Sequence, residues 1–211
     1  MLEILYFDKY IAVCRKPAGL LCEGDGKDSL PTLLRSELCA RGVRDAQVFT
    51  VHRLDRETSG IVVYALTSQA AAELSAQIVG GKWRKIYNAW LWGAPKEDSA
   101  NLRDLLYYDR KRSKSYVVDR ERKGVKAASL DYRVIGGSDD KKKTLIEIEL
   151  HTGRTHQIRV QFASRGLPLC GDRRYGAPPE SGTRLALAAI ELSFLHPKTH
   201  EQMIFKIDAD I

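Results

Sequence analysis

Val51-His52-Arg53-Leu54-Asp55-Arg56-Glu57-Thr58-Ser59-Gly60 runs directly into Ile61-Val62-Val63-Tyr64-Ala65-Leu66. The second stretch is a compact apolar and β-branched run, which predicts a buried strand. The first is then a polar loop feeding the core, its side chains held by a rigid element. Asp55 sits at the middle of that loop with Arg53 and Arg56 on either side. Flanking cations favour the charged form of a carboxylate. An ionised carboxylate beside a core strand can act as a base or as a nucleophile. Thr58-Ser59-Gly60 supplies hydroxyls and a flexible joint before the strand begins. The same residues also fit a satisfied surface turn, and residue chemistry alone favours that plainer account.

At 211 residues the chain suits one large domain or two small ones. A hydrophobic share of 44% and a charged share of 29% are those of a globular protein, so a sizeable core needs no staples. The net charge of +7 and the pI of about 9.2 lean toward a polyanionic partner, most simply nucleic acid. Cys14, Cys22, Cys39 and Cys170 are scattered without a Cys-x-x-Cys pair, which argues against a zinc ribbon or a disulfide framework. Met1 to Tyr6 has neither a basic start nor a long apolar run, unlike a signal peptide. No apolar run approaches the ~20 residues of a membrane span. These features predict a soluble, cytoplasmic monomer with no membrane partner.

Leu2 to Phe7 and Tyr10 to Cys14 read as a hairpin, and Pro17 with Gly19 in Arg15-Lys16-Pro17-Ala18-Gly19 makes the turn after it. Ser29 predicts a helix cap, with Pro31 in the first turn, a stripe of Leu30, Leu33, Leu34 and Leu38, and a stop at Gly42. Val48 to Val51 predicts the strand entering the Asp55 loop. Ser68 predicts the cap of a helix over Gln69 to Val79. Lys82 to Gly93 alternates apolar or aromatic residues with cations and predicts a half-buried strand. Lys85 and Tyr87 would share a face of it, where a ring and an ammonium could meet one ligand; a core Tyr with a snorkelling Lys fits equally. Leu102 to Lys114 is the densest basic segment, read as a surface hairpin or loop that either contacts phosphate or is simply solvated. Ala127 to Val134 and Thr144 to Leu150 predict strands around the turn at Gly136 to Asp140. Thr155 predicts the cap of a helix running to Arg165 and ended by Gly166, with Ile158, Phe162 and Ala163 on the core face and Arg159 at its edge. Leu185 to Phe194 and Met203 to Ile207 predict two last strands, the second at a sheet edge.

Four stretches together carry a resemblance: Lys16-Pro17-Ala18-Gly19; His52-Arg53-Leu54-Asp55 with Thr58-Ser59-Gly60; Lys85-Ile86-Tyr87; and Gly153-Arg154-Thr155-His156-Gln157-Ile158-Arg159. With Gly171-Asp172-Arg173-Arg174-Tyr175-Gly176 after them, they resemble the motifs of the RluA-type pseudouridine synthases, in order and spacing, over nearly the whole chain. Ala188 stands where such proteins usually have His, a departure that touches none of the chemical groups carried over.

The resemblance implies isomerisation of uridine to pseudouridine inside RNA, ribosomal or transfer, with no cofactor and no metal. It implies Asp55 as nucleophile, Arg159 as the group pairing with and orienting Asp55, and Tyr87 as the ring that stacks on the base and helps move the C5 proton. Ile158 would close the apolar side of the pocket. Arg53 would fill the gap left by the flipped uridine, or form a surface salt bridge instead. Lys16, Lys85 and the Arg110 to Lys114 cluster would contact the RNA backbone, and His156, in the first turn of a helix, would meet an anion. The implied fold is a single α+β catalytic domain over residues 1–211, a mixed, largely antiparallel sheet with flanking helices and no N-terminal RNA-binding module. Two other classes compete. A glycosidic-bond hydrolase would need a second carboxylate, for which Glu57 has no assured geometry. The other is a non-catalytic RNA-binding protein on the same fold.

Overall fold

The computed structural model describes residues 2–211. In chain order the elements are β1 (Ile4–Phe7), β2 (Ile11–Lys16), α1 (Leu30–Ala40), β3 (Phe49–Thr50), β4 (Ser59–Ala65), α2 (Ser68–Val79), β5 (Arg84–Trp92), β6 (Ser99–Asp109), β7 (Lys114–Val118), β8 (Val125–Gly137), β9 (Lys143–Leu150), α3 (Gln157–Ala163), β10 (Leu187–Leu195) and β11 (Gln202–Lys206). Short 3-10 turns occupy Arg173–Tyr175 and Pro179–Ser181. This strand-heavy order with few helices is the expected α+β class. No helix among the described residues is long and apolar enough to cross a membrane. The chain divides into two compact units, Met1–Lys85 with Ala189–Asp210 and Ile86–Ala188 with Ile211.

In the first unit β2 pairs antiparallel with β1 and β4, and β10 with β11. The β1–β2 turn closes because Asp8 accepts the N–H groups of Tyr10 and Ile11 at 2.7 and 2.9 Å. Ile11, Val13, Ile61, Val63, Leu74 and Phe194 form its core, with Trp83 and Ala70. Fully burying such a side chain contributes about 1.5–3 kcal/mol. β4 begins one joint earlier than the apolar run, at Ser59, and is buried from Gly60 onward. α1 begins as expected. Ser29 caps it by accepting Thr32 N–H, and Pro31 stands in its first turn. Leu30, Leu34 and Leu38 are buried, but Leu33 is 37% exposed and leaves the stripe. α2 is capped by Thr67, not Ser68: the Thr67 hydroxyl accepts Ala70 N–H at 3.1 Å, and Ser68 is already helical.

In the second unit the strands run β5-β9-β8-β6-β7, all antiparallel. The basic segment forms the hairpin β6–β7, turning at Arg110 to Ser113. Cross-strand pairs Tyr87–Ile148 and Ile148–Tyr132 put these side chains on one face of the pleat. α3 packs on that face, with Phe162 5.3 Å from the Tyr132 ring and Gln161 bonded to Asp104 of β6. α3 ends at Ala163, two residues short of the expected Arg165, and differs from expectation in two further ways. It starts at Gln157, because His156 takes a left-handed conformation at φ 54° and the Gln157 side chain accepts from Arg154 N–H and Thr152 Oγ1. It is also buried nearly all round, from Gln157 to Phe162, so its polar residues Gln157, Arg159 and Gln161 face protein and not solvent.

Gly60 lies at φ +124°, and a Cβ there would come within 2.2 Å of the Ala189 carbonyl oxygen. Gly60→Ala is expected to cost more than about 3 kcal/mol through strain and clash together. Urea unfolding checks this; an unchanged midpoint would mean that the backbones do not approach so closely.

Candidate active site

The Asp55 loop of the first unit is tied from below. The Asp55 carbonyl accepts Thr58 N–H at 3.1 Å, so the carboxylate stands on a tight turn just before β4. The arginines beside Asp55 reach outward. Arg53 donates to Glu23 at 2.5 Å, and Arg56 donates to the Gly19 carbonyl at 2.8 Å. Gly19 N–H returns a bond to the Arg56 carbonyl at 2.7 Å. Together they clip the Asp55 loop to the Lys-Pro-x-Gly loop.

Lys16 corrects an expectation. Its side chain is fully buried, and its ammonium donates to the carbonyls of Arg56 at 2.9 Å and Pro17 at 3.0 Å. A group so placed serves the loop and has no surface to offer a phosphate. Burial lowers its pKa from 10.5 to about 8, while the charges of Cys22 and Asp55 pull it back up. Cys22, absent from the expected site, accepts Leu54 N–H on its Sγ at 3.2 Å. The Cys22 carbonyl in turn accepts the Tyr64 hydroxyl of β4 at 3.0 Å. His52 is structural. It accepts Val63 N–H on Nε2 at 3.0 Å, and burial pushes its pKa down to about 3, so it is neutral. Half-buried Lys85, whose pKa burial also lowers, lies on β5 two residues before Tyr87.

The second unit carries the other expected residues. Tyr87 is 7% exposed, on the sheet face that α3 covers. Ile158 and Arg159 are buried on α3. Arg159 is gripped by a partner not foreseen: Asp172 accepts from its Nε at 2.7 Å and its Nη2 at 2.8 Å, with both side chains almost fully buried. The guanidinium carbon also lies 5.3 Å from the Tyr175 ring centre. His156 places Nδ1 2.9 Å from the Tyr175 hydroxyl. Asp172 and Tyr175 belong to the Gly171–Gly176 stretch, so the signal was present as a motif without an assigned role. Gly171 permits the turn at φ +74°, where a Cβ would meet the Arg184 carbonyl oxygen at 1.9 Å.

A family model described as RNA pseudouridylate synthase matches residues 10–164. The dual-specificity RNA pseudouridine synthase RluA of Salmonella typhimurium is 37% identical, over 99% of this chain and 94% of its own. Its namesake in Yersinia pestis is 34% identical, over 98% of each. A tRNA pseudouridine synthase C of Vibrio cholerae is 32% identical, over 100% of this chain and 92% of its own. The solved structure of human RNA Pseudouridylate Synthase Domain Containing 1 superposes with a TM-score of 0.80 over 99% of this chain and 83% of its own, at 22% identity, which shows a shared fold. The chain belongs to the RNA pseudouridylate synthase family. It is an isomerase that converts uridine in RNA to pseudouridine.

The buried Lys16 gives a pH signature. Below about 8 the ammonium is charged in the folded and unfolded states alike, and its burial cost is constant. Between about 8 and 10.5 the folded state has shed the proton and the unfolded state has not, so stability rises with pH. In Lys16→Met that rise is absent. The unfolding free energy of the native chain should therefore gain on that of the variant by up to about 3 kcal/mol across this window. Denaturant titrations at stepped pH measure the difference, and a flat one would contradict the buried charge.

Proposed function

We propose that the chain modifies a particular uridine in structured RNA, ribosomal or transfer, with Asp55 as the nucleophile and Tyr87 and Arg159 as its catalytic partners. The observation carrying this is the build of the Asp55 loop. A carboxylate on a turn clipped to Gly19, Cys22 and Lys16 is held in one place without being sunk in the core. That is what a nucleophile meeting a large substrate requires. In the reaction the ribose C1′–N1 bond breaks, the base turns, and a C5–C1′ bond forms. The proton leaves C5 and N1 regains one, so the product is an isomer and nothing is consumed. Tyr87 stacks on the base and helps move the C5 proton, Ile158 closes the apolar side, and Arg159 orients Asp55.

Arg53 is proposed to occupy the space left when the uridine leaves its stack. Its pair with Glu23 is exposed on both sides, and such pairs contribute about 0–1 kcal/mol, so the guanidinium is released at small cost. Lys85 and His156 are proposed to contact the RNA. Relatives named as a dual-specificity RNA pseudouridine synthase and as a tRNA pseudouridine synthase support RNA, and tRNA among its classes, as the substrate. We place the work in the cytoplasm, carried out by a monomer.

Asp55→Ala tests the assignment. The variant should bind RNA as the native chain does, while pseudouridine formation falls by at least about a thousandfold. Pseudouridine mapping of cellular RNA with and without the protein supplies the readout and the target. Turnover that survives the substitution would remove Asp55 from the chemistry. A protein that binds RNA and changes no uridine in either form would favour the non-catalytic reading.

A further inference from the structure

The chain's charge is unevenly placed. Residues 110–126 hold eight cations (Arg110, Lys111, Arg112, Lys114, Arg120, Arg122, Lys123, Lys126) against Asp119 and Glu121. This segment of 17 residues therefore carries +6 of the chain's net +7. All eight except Lys114 are exposed. Such a concentration on one hairpin and its following turn is the footprint of a polyanion's backbone, which is read by charge and not by sequence.

The turn end of this hairpin is held in place by the Gly171–Gly176 turn. The Tyr175 hydroxyl accepts Ser115 N–H of β7 at 2.8 Å. With a neutral imidazole, its own proton then goes to His156 Nδ1, 2.9 Å away. Burial raises the Tyr175 pKa, which keeps that proton on the phenol. Ser115 Oγ donates to the Thr155 carbonyl at 2.5 Å, tying β7 to the approach of α3. Lys114 Nζ lies 5.0 Å from the centre of the Tyr175 ring, to which Arg159 also turns. Arg174 Nη1 donates to the Ser113 carbonyl in the hairpin turn at 2.9 Å. Asp172, Arg174 and Tyr175 lie beyond the family-model match, which ends at residue 164.

We propose that Arg110–Lys126 is the electrostatic anchor for the RNA backbone, and that Tyr175 is the positioning residue that fixes this arm beside His156 and α3. The proposal rests on RNA being the substrate. It adds where the phosphates are gripped and which group outside the arm sets its place.

The test uses the full chain and unfractionated tRNA, with binding followed by fluorescence anisotropy over a series of KCl concentrations. Arg110→Gln/Lys111→Gln/Arg112→Gln should reduce the slope of log K against log salt by about 2 to 3, at roughly 0.7–0.9 for each phosphate no longer neutralised. Lys96→Gln/Lys141→Gln/Lys198→Gln removes the same charge elsewhere and should leave the slope unchanged. An unchanged slope in the arm variant, or the same reduction in both, overturns the anchor while leaving the uridine chemistry standing. If the native chain binds no RNA, the substrate reading falls and the anchor falls with it. Tyr175→Phe leaves the buried Ser115 amide without its acceptor and should weaken tRNA binding about tenfold. Arg174→Gln, at an exposed position, reads the same link if the Tyr175 variant does not fold. A lowered melting temperature with unchanged affinity would reduce Tyr175 to a packing residue.

Discussion

Arg159 and Asp172 meet through two short, parallel hydrogen bonds with almost no solvent at either side chain. Water cannot stand in for a missing partner there. Removing one charge of such a pair costs about 3–5 kcal/mol, because the other is left uncompensated. Replacing both with apolar groups is often neutral, so the pair's worth lies in direction rather than stability. A guanidinium held at Nε and Nη2 has its plane fixed, and that plane sets where its remaining donor edge points. Tyr175 then lies against the guanidinium and joins His156 and β7 to it. One charge pair in a short turn thus sets the orientation of the groups around α3.

The first unit reaches a similar end by other means. It positions the Asp55 loop with main-chain carbonyls and one buried ammonium. The Arg56 carbonyl receives both Lys16 Nζ and Gly19 N–H, and Leu54 N–H rests on the Cys22 sulfur. The charged groups near Asp55 in sequence spend themselves on loop closure. The loop's stiffness therefore comes from residues 16–22, and the visible arginines are its outer clips.

Features set by nearby residues were legible in the sequence. Ser29 and Pro31 announced the start of α1 because a cap and a fixed φ act within one turn. The Asp55 loop and β4 were legible because a β-branched run following a Gly has few other uses. Where two neighbouring hydroxyls could cap α2, residue type could not choose between Thr67 and Ser68. The start of α3 was misplaced because the left-handed His156 and the bonds of the Gln157 side chain are tertiary facts. The roles of Lys16, Cys22, Asp172 and Tyr175 were hidden for a related reason. Each acts on a partner brought near by folding, as Lys16 does on the Arg56 carbonyl, 40 residues away. Lys16 also shows how a cation in a basic chain misleads: its type suggested phosphate, and its burial gives it to the backbone.

The charge distribution bears on how the molecule keeps apart from its own copies. With +6 of the net +7 on residues 110–126, everything else is close to electroneutral. Mutual repulsion between copies in solution thus depends on a single segment. Whenever that segment is neutralised by a bound polyanion, the exposed remainder has little net charge to oppose association, and colloidal solubility falls toward its minimum. The free and the occupied protein are therefore two different colloids, and concentrated samples should be most prone to precipitate near charge equivalence.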